Sequence, residues 1–202
     1  MRIYFIRHGD KQRTREVSAF GYSDQPLNEL GIRQANITAE HLHQIRLDAV
    51  YASDLVRAQQ TAEIIASYQQ NVYVQTDARL REIDMGVFHT LTREEVQAQY
   101  PQFYQVYQRR DTDYTYPGGE NGEQAKTRML SFLHDFIKQP YENAAVVCHG
   151  GIIHSIFCYF LGMQQHQRFK IKSSNCGISR LDYSDGFKIH SINETGHLLG
   201  VE

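Results

Sequence analysis

Apolar residues fall in short blocks along the chain, and their spacing alternates between two periods. Arg2–Ile6 (RIYFI), Asp48–Ala52 (DAVYA), Val72–Gln75 and Ala144–Cys148 (AAVVC) are compact apolar runs, and they predict strands. Between them, Leu30, Ala35, Ala39, Leu42 and Ile45 recur at helical spacing, as do Leu55, Ala58, Ala62 and Ile65. Strands alternating with amphipathic helices predict an α/β fold: a mostly parallel central sheet with helices on both faces, in three α/β/α layers. Near the C-terminus, Ile178–Tyr183 and Lys188–Ile192 flank Ser184, Asp185 and Gly186, which predicts a hairpin added to the sheet edge.

The stretch 91–117 breaks this alternation. It has no strand pattern, and aromatic residues crowd it at Tyr100, Phe103, Tyr104, Tyr107, Tyr114 and Tyr116. A helical insertion is expected there, opened by Thr92 and Glu95 at capping-box spacing. Asn121 and Gln124 repeat that spacing after the turn signal PGG, and start a helix expected to reach about Lys138. Tyr100, Tyr104 and Tyr107 form a stripe at helical spacing, read as packing surface; the alternative is an overhang of the site in which Arg109 and Arg110 meet a second anionic group.

Composition narrows the choices only a little. A chain of 202 residues with 41% hydrophobic content suits one domain spanning 1–202. A formal charge of -2 with mixed signs gives no reason to expect nucleic acid or an anionic membrane as partner. No apolar run approaches the roughly 20 residues of a membrane span, and residues 1–20 lack a secretory core. A cytoplasmic protein is expected. Cys148, Cys158 and Cys176 have no CxxC spacing, so they read as small buried side chains.

Chemistry concentrates where strands end. RHG (Arg7, His8, Gly9) follows the first strand, SDLVRAQQTA with Arg57 follows the second, and HGG (His149, Gly150, Gly151) follows AAVVC. In a parallel α/β layout these loops converge beyond the carboxyl ends of the strands. Two guanidiniums match phosphate oxygens, and a glycine beside an imidazole would let a ligand approach. Adjacent arginines would repel a divalent cation, so no metal site is expected. His8 would attack phosphorus as a neutral imidazole, with Arg7, Arg57 and a protonated or hydrogen-bonding His149 stabilising the transferred group. The leaving oxygen needs a proton, and LREIDMG (80–86) offers Glu82, with Asp84 as the fallback.

These motifs together resemble the histidine phosphatase superfamily, in the branch that contains cofactor-dependent phosphoglycerate mutases. The likeness runs through FIRHGD, SDQPLNELGIRQA (23–35), YASDLVRAQQTAEII (51–65), LREIDMG, PGGEN (117–121), VVCHGGIIHSI (146–156) and NCGISRLDY (175–183). It implies a phosphoglycerate mutase-like fold and a phosphohistidine mechanism with His8 as nucleophile. The same resemblance implies that Arg7, Arg57 and His149 complete the phosphate pocket and that Glu82 stands in the proton-donor position. Thr14, Gly21 and Gly150 are expected to line the substrate beside them. No cofactor is expected, and the partner is expected to be a small phosphorylated metabolite.

Departures from the pattern bear on the substrate. Mutase-like members tend to continue RHGES or RHGET and then Trp-Asn, whereas this chain reads RHGDKQRT, with Thr14 in place of that asparagine. After Gly86 the family's frequent Glu-Gly is His89-Thr90. Only NETGHLLGVE follows the hairpin, too little for an elaborate lid, so hydrolysis is expected over mutase transfer. Lys11, Arg13 and Arg15 form a basic run after the nucleophile, either a solvated loop or a hold on an extra anionic group. His41, His43, His134, His166, His190 and His197 read as solvated or structural. His154, one turn beyond HGG, is the remaining histidine within reach of substrate.

Overall fold

The computed structural model describes residues 1–12 and 24–201. Among them are the strands β1 (Arg2–Arg7), β2 (Ala49–Ala52), β3 (Val74–Thr76), β4 (Asn143–Cys148), β5 (Ile178–Tyr183) and β6 (Phe187–Glu194). They form one sheet in the order β3-β2-β4-β1-β5-β6. The first four are parallel, while β5 runs antiparallel to β1 and β6 to β5. The mostly parallel sheet and its edge hairpin therefore match the sequence pattern. β3 starts two residues later than the hydrophobic run, because its pairing begins with Val74 opposite Val50 and Tyr73 stands 81% exposed.

The period-2 alternation of the strands sends side chains to two separate cores. Ile3, Phe5, Ala144, Val146 and Cys148 face one side, packed with α5 (Gly122–Phe136) and α6 (Gly150–Phe160). Tyr4, Ile6, Val50, Ala52, Ala145 and Val147 face the other, under α1 (Glu29–His43) and α2 (Val56–Ser67). Three layers result.

The insertion is helical only in its first part. α3 (Arg93–Gln99) starts on the Thr92–Glu95 capping box and α4 (Pro101–Arg109) follows, ending where Arg110 takes the left-handed φ of 54°. Residues 110–121 then return without a helix, and this corrects the expectation for 91–117. The Asp113 carboxylate accepts from the N–H groups of Gly122 and Glu123 at 2.9 Å each, tying the segment to the start of α5. The aromatic stripe packs: Phe103 lies 4.7 Å from Phe88 and 5.4 Å from Tyr114 between ring centres, and Tyr100, Tyr104 and Tyr107 lean on the same core. Arg110 lies over the Phe169 ring at 4.3 Å, and Arg109 pairs with Asp111 at 3.3 Å.

Candidate active site

Strand order decides which side chains meet. Arg7 ends β1 and His8 follows it, His149 follows β4, Arg57 is the second residue of α2 after β2, and Glu82 follows β3 through a turn at Ala78–Leu80. The four strands are neighbours, so their carboxyl ends gather all five residues.

His8 is fixed in one tautomer. Its Nδ1 lies 2.7 Å from the Gly9 carbonyl, which can only accept, so Nδ1 carries the proton. Its Nε2 therefore presents a lone pair, and Arg57 Nε donates to it at 3.1 Å. Burial, reinforced by the Arg57 and Arg7 charges, holds the imidazole well below its usual pKa, and the ring is neutral at pH 7. The backbone is held from both sides: the His8 N–H donates to Cys148 O at 3.0 Å, and Asn175 Nδ2 donates to His8 O at 2.8 Å.

His149 is fully buried, with its ring centre 5.1 Å from that of His8 and, among the described residues, no hydrogen-bond partner at either nitrogen. Burial and the Arg57 charge keep it neutral too. Of the two forms expected for His149, the protonated one is disfavoured by this burial. Arg57 is 2% exposed and lies 3.6 Å from the Asp24 carboxylate, which also accepts from the Val56 N–H at 2.8 Å. Arg7 Nη1 donates to Ser173 O at 2.6 Å, while its buried Nε has no partner among the described residues.

One sequence expectation needs correction. Gly9 does not clear the path of a ligand: a Cβ there would fall 2.5 Å from the Gly31 carbonyl oxygen, so its role is to let α1 close on the nucleophile loop. Nor are all the first-turn amides of α6 open to an external anion. Glu82 accepts from Gly151 N at 3.0 Å and Ile152 N at 3.1 Å, and also from Ile83 N at 2.9 Å. The protein's own carboxylate occupies that end of the helix. A Cβ on Gly151 would meet Glu82 Oε1 at 2.5 Å, which accounts for the second glycine of HGG. At Gly150 a Cβ would face Arg7 Nε at 3.4 Å, so this glycine borders the arginine.

The fallback acid Asp84 is engaged elsewhere. Burial pushes its pKa up, but hydrogen bonds from His89 Nε2 at 2.6 Å and Gly86 N at 2.8 Å outweigh that and hold it below the usual carboxylate range. His89, an unusual residue in the motif, thus has a structural partner. Lys11 lies near the cluster: burial and the Arg57 charge lower its pKa to about 8. Thr14, Gly21, Arg13 and Arg15 lie outside the described residues.

Several supporting groups escaped the sequence reading. Thr61, one turn after Arg57 on α2, accepts from Gly9 N at 3.1 Å. Asp24, Ser173 and Asn175 come from loops whose convergence no local pattern encodes. Arg128 of α5 reaches behind Glu82, donating to Arg79 O at 2.6 Å and Arg81 O at 3.0 Å and to both Glu120 oxygens at 2.9 and 2.7 Å. Among the described residues no group of three or more His, Cys, Asp or Glu is placed to hold a metal ion. The three cysteines are free and buried, and burial raises their pKa values, that of Cys176 to about 12.

A mixed, mostly parallel sheet flanked by helices, with two arginines and two histidines gathered at its strand ends, defines a phosphoglycerate mutase-like α/β class. Within it the chain belongs to the histidine phosphatase superfamily (branch 1), whose family model matches residues 3–195. It is 31% identical over 205 residues to the "Probable phosphoglycerate mutase GpmB" of Yersinia pestis (strain Pestoides F), covering 98% of this chain and 95% of the relative. The structure of a mycobacterial glucosyl-3-phosphoglycerate phosphatase complexed with VO3 superposes with a TM-score of 0.82 at 25% identity, covering 96% of this chain and 99% of that one. Bacillus stearothermophilus YhfR shares the fold at a TM-score of 0.87 and 22% identity, over 100% and 99% of the two chains.

Proposed function

We propose that the chain is a metal-independent phosphatase of small phosphorylated metabolites, working through a phosphohistidine on His8. The observation that carries this reading is the tautomer of His8. With Nδ1–H committed to Gly9 O, the neutral Nε2 lone pair faces the Arg57 guanidinium, where a phosphoryl group would lie. Nε2 attacks phosphorus, and Arg57 shifts its donor from nitrogen to the equatorial oxygens, joined by Arg7 and His149. The P–O bond to the alcohol breaks, its electron pair stays on oxygen, and a protonated Glu82 supplies the proton. Water then attacks phosphorus, the P–N bond breaks, Glu82 takes a proton from the water, and His8 is restored with free phosphate as product.

The glucosyl-3-phosphoglycerate phosphatase likeness supports hydrolysis. The mutase name of the Yersinia relative favours a second reading, return of the phosphoryl group to another substrate oxygen. Incubation with p-nitrophenyl phosphate and with each positional isomer of phosphoglycerate separates them. Release of inorganic phosphate with negligible isomer, and loss of turnover and of an acid-labile phosphoenzyme in His8→Ala, is the expected result. Isomer formation without free phosphate would make the chain a mutase.

A further inference from the structure

Among the described residues, the phosphoryl site accounts for most of the buried nitrogens without partners near the strand ends, but not for all. Arg7 Nε and both nitrogens of His149 flank the place of the phosphoryl group. His154 Nε2 is also buried without a partner. His154 lies on α6 at i+4 from Gly150 and i+3 from Gly151, on the same helix face. Built at those glycines, a Cβ would point at Arg7 and at the Glu82 carboxylate respectively. A helical side chain leans toward the N-terminus, over the preceding turn, which carries the His154 ring toward these two groups. Consistent with that placement, the charges acting on His154 are those of Glu82, Arg7 and Arg168.

The hydrogen-bonding face of α6 therefore continues one turn past Glu82. In the proposed mechanism Glu82 protonates the leaving oxygen, so a group beyond it meets the rest of the leaving alcohol and not the phosphate. Resting on that mechanism, we infer that His154 is a specificity-determining residue that hydrogen-bonds a hydroxyl of the leaving group, selecting phosphate esters of polyhydroxy alcohols. A hydroxyl fits better than a second anion. Burial lowers the His154 pKa to about 4, so the ring is neutral at working pH and can either donate or accept. The Arg168 charge is offset by the Asp113 carboxylate 2.7 Å from its Nη1, and its buried Nη2, without a partner among the described residues, offers at most one donor nitrogen. A buried polar atom left unpaired is costly, and a site built to bind a hydroxyl discriminates against ligands that lack it.

Glycerol 1-phosphate and n-propyl phosphate form a matched pair that differs only in hydroxyl groups. The wild-type chain is expected to favour the glycerol ester by about tenfold in kcat/KM, the scale of one hydrogen bond. His154→Phe should erase that preference by losing activity on the glycerol ester, with n-propyl and p-nitrophenyl phosphate held within about threefold. His154→Gln, which keeps a donor and an acceptor, should restore part of it. No wild-type preference, or an equal loss on all three esters in His154→Phe, would overturn the inference while leaving the phosphatase reading intact. Absence of phosphate release from every ester by the wild type would overturn the phosphatase reading, and this inference with it.

Discussion

His8 and Arg57 show how single residues set the chemistry. Burial first, and then the arginine, depress the imidazole pKa, and the arginine caps its lone pair at 3.1 Å, so the nucleophile is neutral and aimed before substrate arrives. Positive charge at the site includes one group that titrates near neutrality. Burial lowers Lys11 first, followed by Arg57, with Arg7 acting in the same sense and Asp24 and Asp10 opposing, and the result is about 8. Below that value Lys11 is a cation close to Arg57 and Arg7; above it the charge is lost. KM for a dianionic phosphomonoester should therefore rise severalfold between pH 7 and 9 while kcat changes little. Lys11→Met should show the high KM throughout and a flat profile across that window. A Met variant that kept the wild-type pH dependence would remove Lys11 from substrate binding.

At the level of elements, Glu82 depends on two helices. α6 offers the Gly151 and Ile152 amides, and α5 sends Arg128 to the carbonyls of Arg79 and Arg81 and to the Glu120 carboxylate. Glu120 in turn accepts from Asp84 N at 3.1 Å, closing a clamp around the acid's loop. Arg128→Met should loosen that loop and mimic Glu82→Gln: a fall on the order of 10²-fold for alkyl phosphates, whose alkoxide needs a proton, and a much smaller one for p-nitrophenyl phosphate. Equal losses for both esters would mean that Arg128 only supports the fold. Such clamps mark the limit of what the chain discloses in one dimension. Strand and helix positions were legible because burial on two faces imposes period 2 on strands, as in Tyr4 and Ile6 against Ile3 and Phe5, and period 3.6 on helices. RHG, Arg57, Glu82 and HGG were legible because a parallel sheet puts strand-end loops together. The roles of Gly9, Asp84, Thr61 and Arg128 were not, since each depends on a partner between 5 and 52 residues away whose approach only tertiary packing determines.

Across the whole molecule, the sheet separates two apolar cores and leaves its polar chemistry at one end, where three histidines are held neutral. Burial is the first cause in each case, for His8, His149 and His154 alike. Such an arrangement ties stability to pH with a definite sign. In the unfolded chain each imidazole takes a proton near pH 6.5, whereas in the folded chain it does not until well below that. The unfolded state thus binds more protons below pH 6.5, and the stability present at higher pH drains away as the solution is acidified. Each histidine contributes a slope approaching about 1.4 kcal/mol per pH unit once below 6.5, until its own folded pKa is reached. Carboxylates add little above pH 5, because their ordinary values lie lower and those of Asp54, Asp77 and Asp84 are lower still. Urea unfolding followed from pH 7.5 to 5 should therefore show a steep fall in stability beginning near 6.5, with His149→Gln removing about one proton from the slope. A flat profile over that range, or one that rises on acidification, would mean that the imidazoles are protonated in the folded chain. His8 would then lack the free lone pair on which the proposed attack depends.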